Sequence, residues 1–185
     1  MRKFFTILLI FTGSFLMAQE HGHETTSHES SEPHSFHHGR NFFLVEYGYT
    51  HIAEAVHHNE TEAKEGHWVS SFGLDYFRLV SERWRIGLKL DYELGHYIIP
   101  KKDNLKRENV FIVTPVAGFT ILPKWGLYAG PGIEFEESKN LFIMKVGTEY
   151  AIELGKGWEI PVGAFVDFKE GYNTYAITAG IGKFF

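Results

Sequence analysis

The sequence predicts an all-β fold, an eight-stranded antiparallel up-and-down transmembrane β-barrel over residues 41–185, preceded by a signal peptide and a His-rich tail. Three observations carry this expectation. Apolar residues recur at every second position from Asn41 onward, a tryptophan directly follows each of three tight turns, and the last segment keeps the same alternation up to a final aromatic residue.

Alternation with a period of two marks strands that have one apolar face. Ile86, Leu88, Leu90, Tyr92 and Leu94 alternate with Arg85, Gly87, Lys89, Asp91 and Glu93. Phe142 to Leu154 and Trp158 to Phe168 repeat the pattern, and weaker forms place eight strands near 42–55, 67–79, 84–96, 109–121, 126–136, 141–154, 158–169 and 174–185. The connections between them fall into two classes. Tight ones at Ser81-Glu82-Arg83, Pro123-Lys124 and Gly155-Lys156-Gly157 alternate with polar ones at 56–66, 97–108, 137–140 and 170–173. This is the order of an even-stranded barrel whose short turns face the periplasm.

Trp84, Trp125 and Trp158 come straight after the tight turns. An indole at a membrane interface keeps its ring in the apolar zone and its N–H in the wet zone, so a row at one depth forms an aromatic girdle. The last strand puts Tyr175, Ile177, Ala179, Ile181 and Phe185 on one face. Here the sequence resembles the small eight-stranded outer-membrane barrels of the OmpX and OmpA membrane-domain type, whose final strand ends in Phe as an assembly signal. Lys183 stands where those families usually carry an apolar residue. The resemblance implies a location, a fold, lipid contact and handling by the barrel assembly machinery, and no activity.

Before the barrel come two further segments. Arg2 and Lys3, an apolar run from Phe4 to Met17 and the small Ala18 read as an export signal over 1–18, cleaved near Ala18. The run is shorter than the roughly 20 residues a spanning helix needs. Residues 19–40 hold six histidines (His21, His23, His28, His34, His37, His38) among Ser, Thr and Glu, with Phe36 as their one aromatic, too little apolar surface for a core.

Loss of residues 1–18 leaves 16 basic against 23 acidic residues, a formal charge of −7, which argues against nucleic acid as a partner. Cysteine is absent, which excludes disulfides, thiolate metal sites and a thiol nucleophile. No phosphate loop, dinucleotide fingerprint or nucleophile elbow occurs, and Gly130-Pro131-Gly132 is expected to mark a bend or bulge inside a strand.

Two constellations carry chemistry. By parity the inward face holds Glu46, Asp75, Asp91, Glu93, Glu134, Glu136, Glu149, Glu153, Glu159 and Asp167 against Arg85, Lys89, Lys145 and Lys169. Such charges either pair as a plug or line a water path, in which case the acidic excess favours cations. The second constellation is histidine. The tail's His21/His23 and His37/His38 pairs place two imidazoles on one Zn²⁺, Cu²⁺ or Ni²⁺ ion, with Glu20 and Glu24 as oxygen ligands. His57, His58 and His67 form a second, weaker candidate set near the first polar loop. No cofactor is required for this reading.

The expected function is that of a monomeric, non-enzymatic outer-membrane barrel protein with a metal-binding periplasmic segment. The alternatives are a narrow cation-favouring channel, a lipid-modifying barrel enzyme using His67 with Ser70 or Ser71, and a secreted lipocalin-like binder with its apolar face turned inward.

Overall fold

The computed structural model describes residues 39–57, 66–100, 105–137 and 139–185. The export segment, the tail with His21, His23, His28, His34, His37 and His38, and His58 in the first loop lie outside the described residues.

The alternating stretches form strands because their β-branched and aromatic side chains fit a pleated wall with one face in contact with neighbours. In chain order they are β1 (Asn41–Ile52), the two-residue β2 (Val56–His57), β3 (His67–Leu79), β4 (Trp84–Ile99), β5 (Leu105–Leu122), β6 (Trp125–Phe135), β7 (Leu141–Gly155), β8 (Trp158–Lys169) and β9 (Tyr172–Phe184). Sequence neighbours among the eight long strands pair antiparallel, and β9 pairs back onto β1 from Phe42↔Phe184 to Ile52↔Thr174. The wall is therefore closed, and no long strand is left with a free edge.

The turns at the tryptophan end are tight for local reasons. The Ser81 hydroxyl accepts from the Trp84 N–H at 3.1 Å. Gly155, Lys156 and Gly157 all adopt positive φ (88°, 52° and 78°), a region that two glycines enter without the Cβ clash other residues suffer.

At the opposite, loop end the hairpin of β4 and β5 is longer than the alternation suggests. Residues 97–108, read as a polar loop, instead continue the ladder through Tyr97↔Arg107 and Ile99↔Leu105. A register shift between Glu93 and His96 faces Asn109, which sits at φ 49°. Asparagine tolerates this left-handed conformation. The bulge changes the parity of β5, so that both Arg107 and Val110 point inward although they are three residues apart.

Gly130-Pro131-Gly132 does not form the expected bulge. Register between β5 and β6 is the same above and below it, Val113↔Ile133 and Ala117↔Ala129. The ladder lapses between these pairs, where Pro115 and Pro131 both lack an N–H, and its one register shift lies further on, between Thr120 and Leu122. Glycine is required at position 130 because a Cβ there would lie 1.8 Å from the Pro115 carbonyl oxygen.

Candidate functional site

Parity sends the apolar residues outward and the ions inward. Trp84, Trp125 and Trp158 are exposed on the outer wall at one end, and Trp68, Phe111, Phe142, Phe168 and Tyr175 are exposed towards the other. Outward-facing ions on the described strands are confined to the ends, with Arg78 and Lys183 near the three tryptophans and Lys106 and Glu108 beyond the β4–β5 bulge. A lipocalin-like binder would need the reverse arrangement, so that reading is overturned.

The interior is filled. Phe42, Leu44, Phe77, Tyr128, Phe165 and Phe184 form a buried apolar cluster near the tryptophan end, and Ile52, Ala55, Tyr97, Ile99, Val110 and Leu141 belong to another at the loop end. Charged side chains occupy the space between. Three buried lysines there share one pattern, an ammonium held between two carboxylates beside an aromatic ring.

Lys89 Nζ meets Glu46 at 3.0 Å and also Asp75, and lies 5.0 Å from the Tyr128 ring. Lys145 Nζ meets Asp91 at 3.2 Å and Asp167 at 3.0 Å, above the Phe165 ring at 3.5 Å. Lys169 Nζ meets Glu134 at 2.7 Å and Glu93 at 3.5 Å, with the Tyr172 ring at 5.2 Å. Tyr172 and Tyr97 donate their hydroxyls to Glu134 and Glu93 at 3.0 and 3.3 Å. A buried ion pair is tolerable only with close geometry and further hydrogen bonds of this kind.

A fourth buried cation, Arg107, completes the loop-end group with Glu134 at 3.0 Å and Glu136 at 3.1 Å, and its Nη1 donates to the Lys139 carbonyl at 2.6 Å. Counting by twos could not find it, because the parity break at Asn109 is a backbone event. At the tryptophan end Arg85 pairs with Glu149 at 2.6 Å and lies over the Phe77 ring at 4.4 Å. Glu153 and Glu159 stand partly exposed on the same inward face.

The histidines gather less well. His57 is backbone-paired with Tyr97, and the His67 ring lies 6.4 Å from that same tyrosine ring. His51 stacks on Trp68 at 4.7 Å on the outer wall, and His96 faces Glu108 at 3.4 Å. Among the described residues no group of three or more His, Asp or Glu side chains has the geometry of a metal site. His67 and Ser70 fall on opposite faces of β3, and the Ser70 hydroxyl instead meets the Tyr47 hydroxyl at 3.3 Å. Ser71 shares the inward face with His67, but four residues along a strand is roughly 13 Å, too far for a nucleophile and its base.

The fold is that of the small outer-membrane barrels. Neisserial surface protein A superposes with a TM-score of 0.56 at 9% identity, covering 78% of this chain and 97% of that one. Ail, the attachment invasion locus protein of Yersinia pestis, gives a TM-score of 0.50 at 14% identity over 78% of this chain and 98% of that one. No protein-family model and no curated protein sequence matches the chain. The shared property is thus architecture.

Proposed function

We propose that the chain is a monomeric, non-enzymatic outer-membrane β-barrel protein, with both ends of the barrel strand order in the periplasm and a His-rich periplasmic segment over 19–40 that binds divalent transition metals. The outer wall carries the first half of this reading. On β8 the outward residues run from Trp158 to Phe168, ten steps or about 33 Å of strand, which at the usual barrel tilt spans about 25 Å. That matches the apolar band of outer-membrane barrels, with aromatics at both rims and ions beyond them. Such a band on a soluble protein would far exceed an ordinary exposed apolar patch.

The metal half rests on the tail's spacing: His21/His23 and His37/His38 bring imidazoles in pairs, with no thiolate to compete. The separation of His67 from Ser70 and Ser71 supports the non-enzymatic reading. Protease added to intact cells tests the topology. Cleavage is expected within 56–66 and around 100–105, with residues 20–40 spared, and cleavage of the tail while those loops stay intact would invert it.

A further inference from the structure

A groove of about 470 Å³ crosses the outer wall between two adjacent rows of ladder partners. One row runs from β6 to β9 through Leu127↔Thr148, Thr148↔Ala164 and Ala164↔Ile177. The other runs through Val146↔Val166, Val166↔Tyr175 and Tyr175↔His51, and it ends on Trp68, which pairs with His51 and stacks on its ring at 4.7 Å. Gly147, Phe165 and Ala176 lie between the rows and point inward, so they floor the groove with backbone. Small side chains at Thr148, Ala164, Val146 and Val166 leave room that Leu and Tyr fill on the outer face of β4.

Chemistry and length define the guest. The Thr148 hydroxyl, at mid-wall, donates to the Gly126 carbonyl at 3.0 Å and accepts from the Trp125 indole N–H, so it offers nothing polar to a ligand. Trp68 and Tyr175 stand exposed at the loop end, and such rings with a polar edge belong at the level of lipid headgroups. From Leu127, near the start of β6, to Trp68, near the start of β3, the groove crosses five strand spacings, about 24 Å along the wall. With strands tilted by about 40°, a row of partners rises about 15 Å over that path. A hydrocarbon core is about 30 Å thick, so the rise equals the depth of one leaflet.

We propose that this groove is a lipid site that holds one acyl chain from the loop-end leaflet, with the lipid head beside His51, Trp68 and Tyr175 and the chain end near Leu127. Lipid tails are as apolar as the wall itself, so burial of apolar surface favours no one lipid, and retention comes from packing. A chain lying on the convex wall touches protein along one side. A chain in the groove touches the backbone floor and both rows, and each further carbon contact adds a small dispersion gain. The groove is therefore a preferred seat that one chain occupies and exchanges with bulk lipid.

This inference rests on the membrane-spanning reading, and the test separates the two. Full-length protein is reconstituted into phosphatidylcholine vesicles containing a small fraction of phosphatidylcholine with a photoactivatable diazirine in mid-chain, and insertion is scored by protease protection. Failure to insert sinks the spanning reading and the lipid site with it. With insertion established, illumination is expected to label Val146 and Thr148 roughly threefold more than the outer residues of β4, the scale of a handful of extra dispersion contacts. Ala164→Phe, which fills the groove, is expected to bring that labelling down to the β4 level. Val45→Phe, on the outer face of β1 and outside the groove, is expected to leave it unchanged. Should Ala164→Phe not insert, Val166→Phe fills the same space and is expected to act alike. Even labelling around the wall, or a preference that survives filling of the groove, would overturn the site. Weak groove labelling together with cross-linked pairs of barrels that Ala164→Phe abolishes would overturn it too, and assign the groove to a second copy of the chain.

Discussion

The Lys183 ammonium lies 5.0 Å from the centroid of the Trp158 ring, its partner across the β8–β9 ladder. A lysine on the lipid-facing side of a strand is out of place at mid-membrane, and Lys183 stands next to last in β9. Beside a girdle tryptophan it has a cation–π partner, and its long stem lets the charge reach the wet side. This contact accounts for the departure of Lys183 from the apolar pattern of the last strand.

Depth along the wall therefore governs tolerance of charge. Leu90→Arg, near the middle of the outer face of β4, is expected to cost folding into lipid about 2–4 kcal/mol, and Lys183→Arg close to nothing. Trp84→Phe falls between them. Urea unfolding in lipid vesicles measures all three, and equal stability of Leu90→Arg and Lys183→Arg would refute the face assignment. Gly87 is a poor inward control, because a Cβ there would meet the Tyr76 carbonyl oxygen at 2.5 Å.

Removal of one ammonium should be costly. Lys145→Met abandons Asp91 and Asp167 to each other in the interior, and loss of one partner of a buried ion group typically costs about 3–5 kcal/mol. Acid should lessen the deficit, since protonation neutralises the abandoned carboxylates. Stability of variant and wild type measured across pH checks both points. A deficit that grows as pH falls would contradict the assigned pairing.

The seam between β5 and β6 offers a test of backbone proximity. Gly130→Ala forces a Cβ against the Pro115 carbonyl in a wall already short of ladder hydrogen bonds there, and overpacking of this kind costs about 1–3 kcal/mol. Heat-modifiable migration on gels should show a lower unfolding temperature than wild type. An unchanged temperature would mean that the two strands stand further apart than described.

Metal binding by the tail has a clear pH sign. Imidazole ligates only when neutral, and free histidine has a pKa of about 6.5, so affinity should be full above that value and fall steeply below it. Copper(II) should bind above nickel(II) and zinc(II). Deletion of residues 20–40 should leave the barrel folded and remove most of the uptake seen by calorimetry. Equal uptake by both forms would move the site to His57, His58 and His67, and no uptake by either would make the tail a spacer.

Much of the barrel is legible in the sequence because its causes are local. Successive strand side chains must point to opposite faces, so the alternation from Ile86 to Leu94 alone assigns both faces of β4, and Trp84, Trp125 and Trp158 mark one rim by their position after tight turns. Charge excess on the inward face follows from the same parity. Which ions meet is another matter. Lys169 and Glu93 are 76 residues apart in the chain and touch only because eight strands close with one particular stagger. The inward turn of Arg107 depends on the left-handed Asn109 opposite the β4 bulge, a backbone irregularity that shifts every later position by one and leaves no periodic trace. Sequence by itself determined the wall and its two faces, through period and turn chemistry. Only the closed tertiary structure decided the contents of the lumen, because pairing across a barrel is set by register and shear, to which no single strand holds the key.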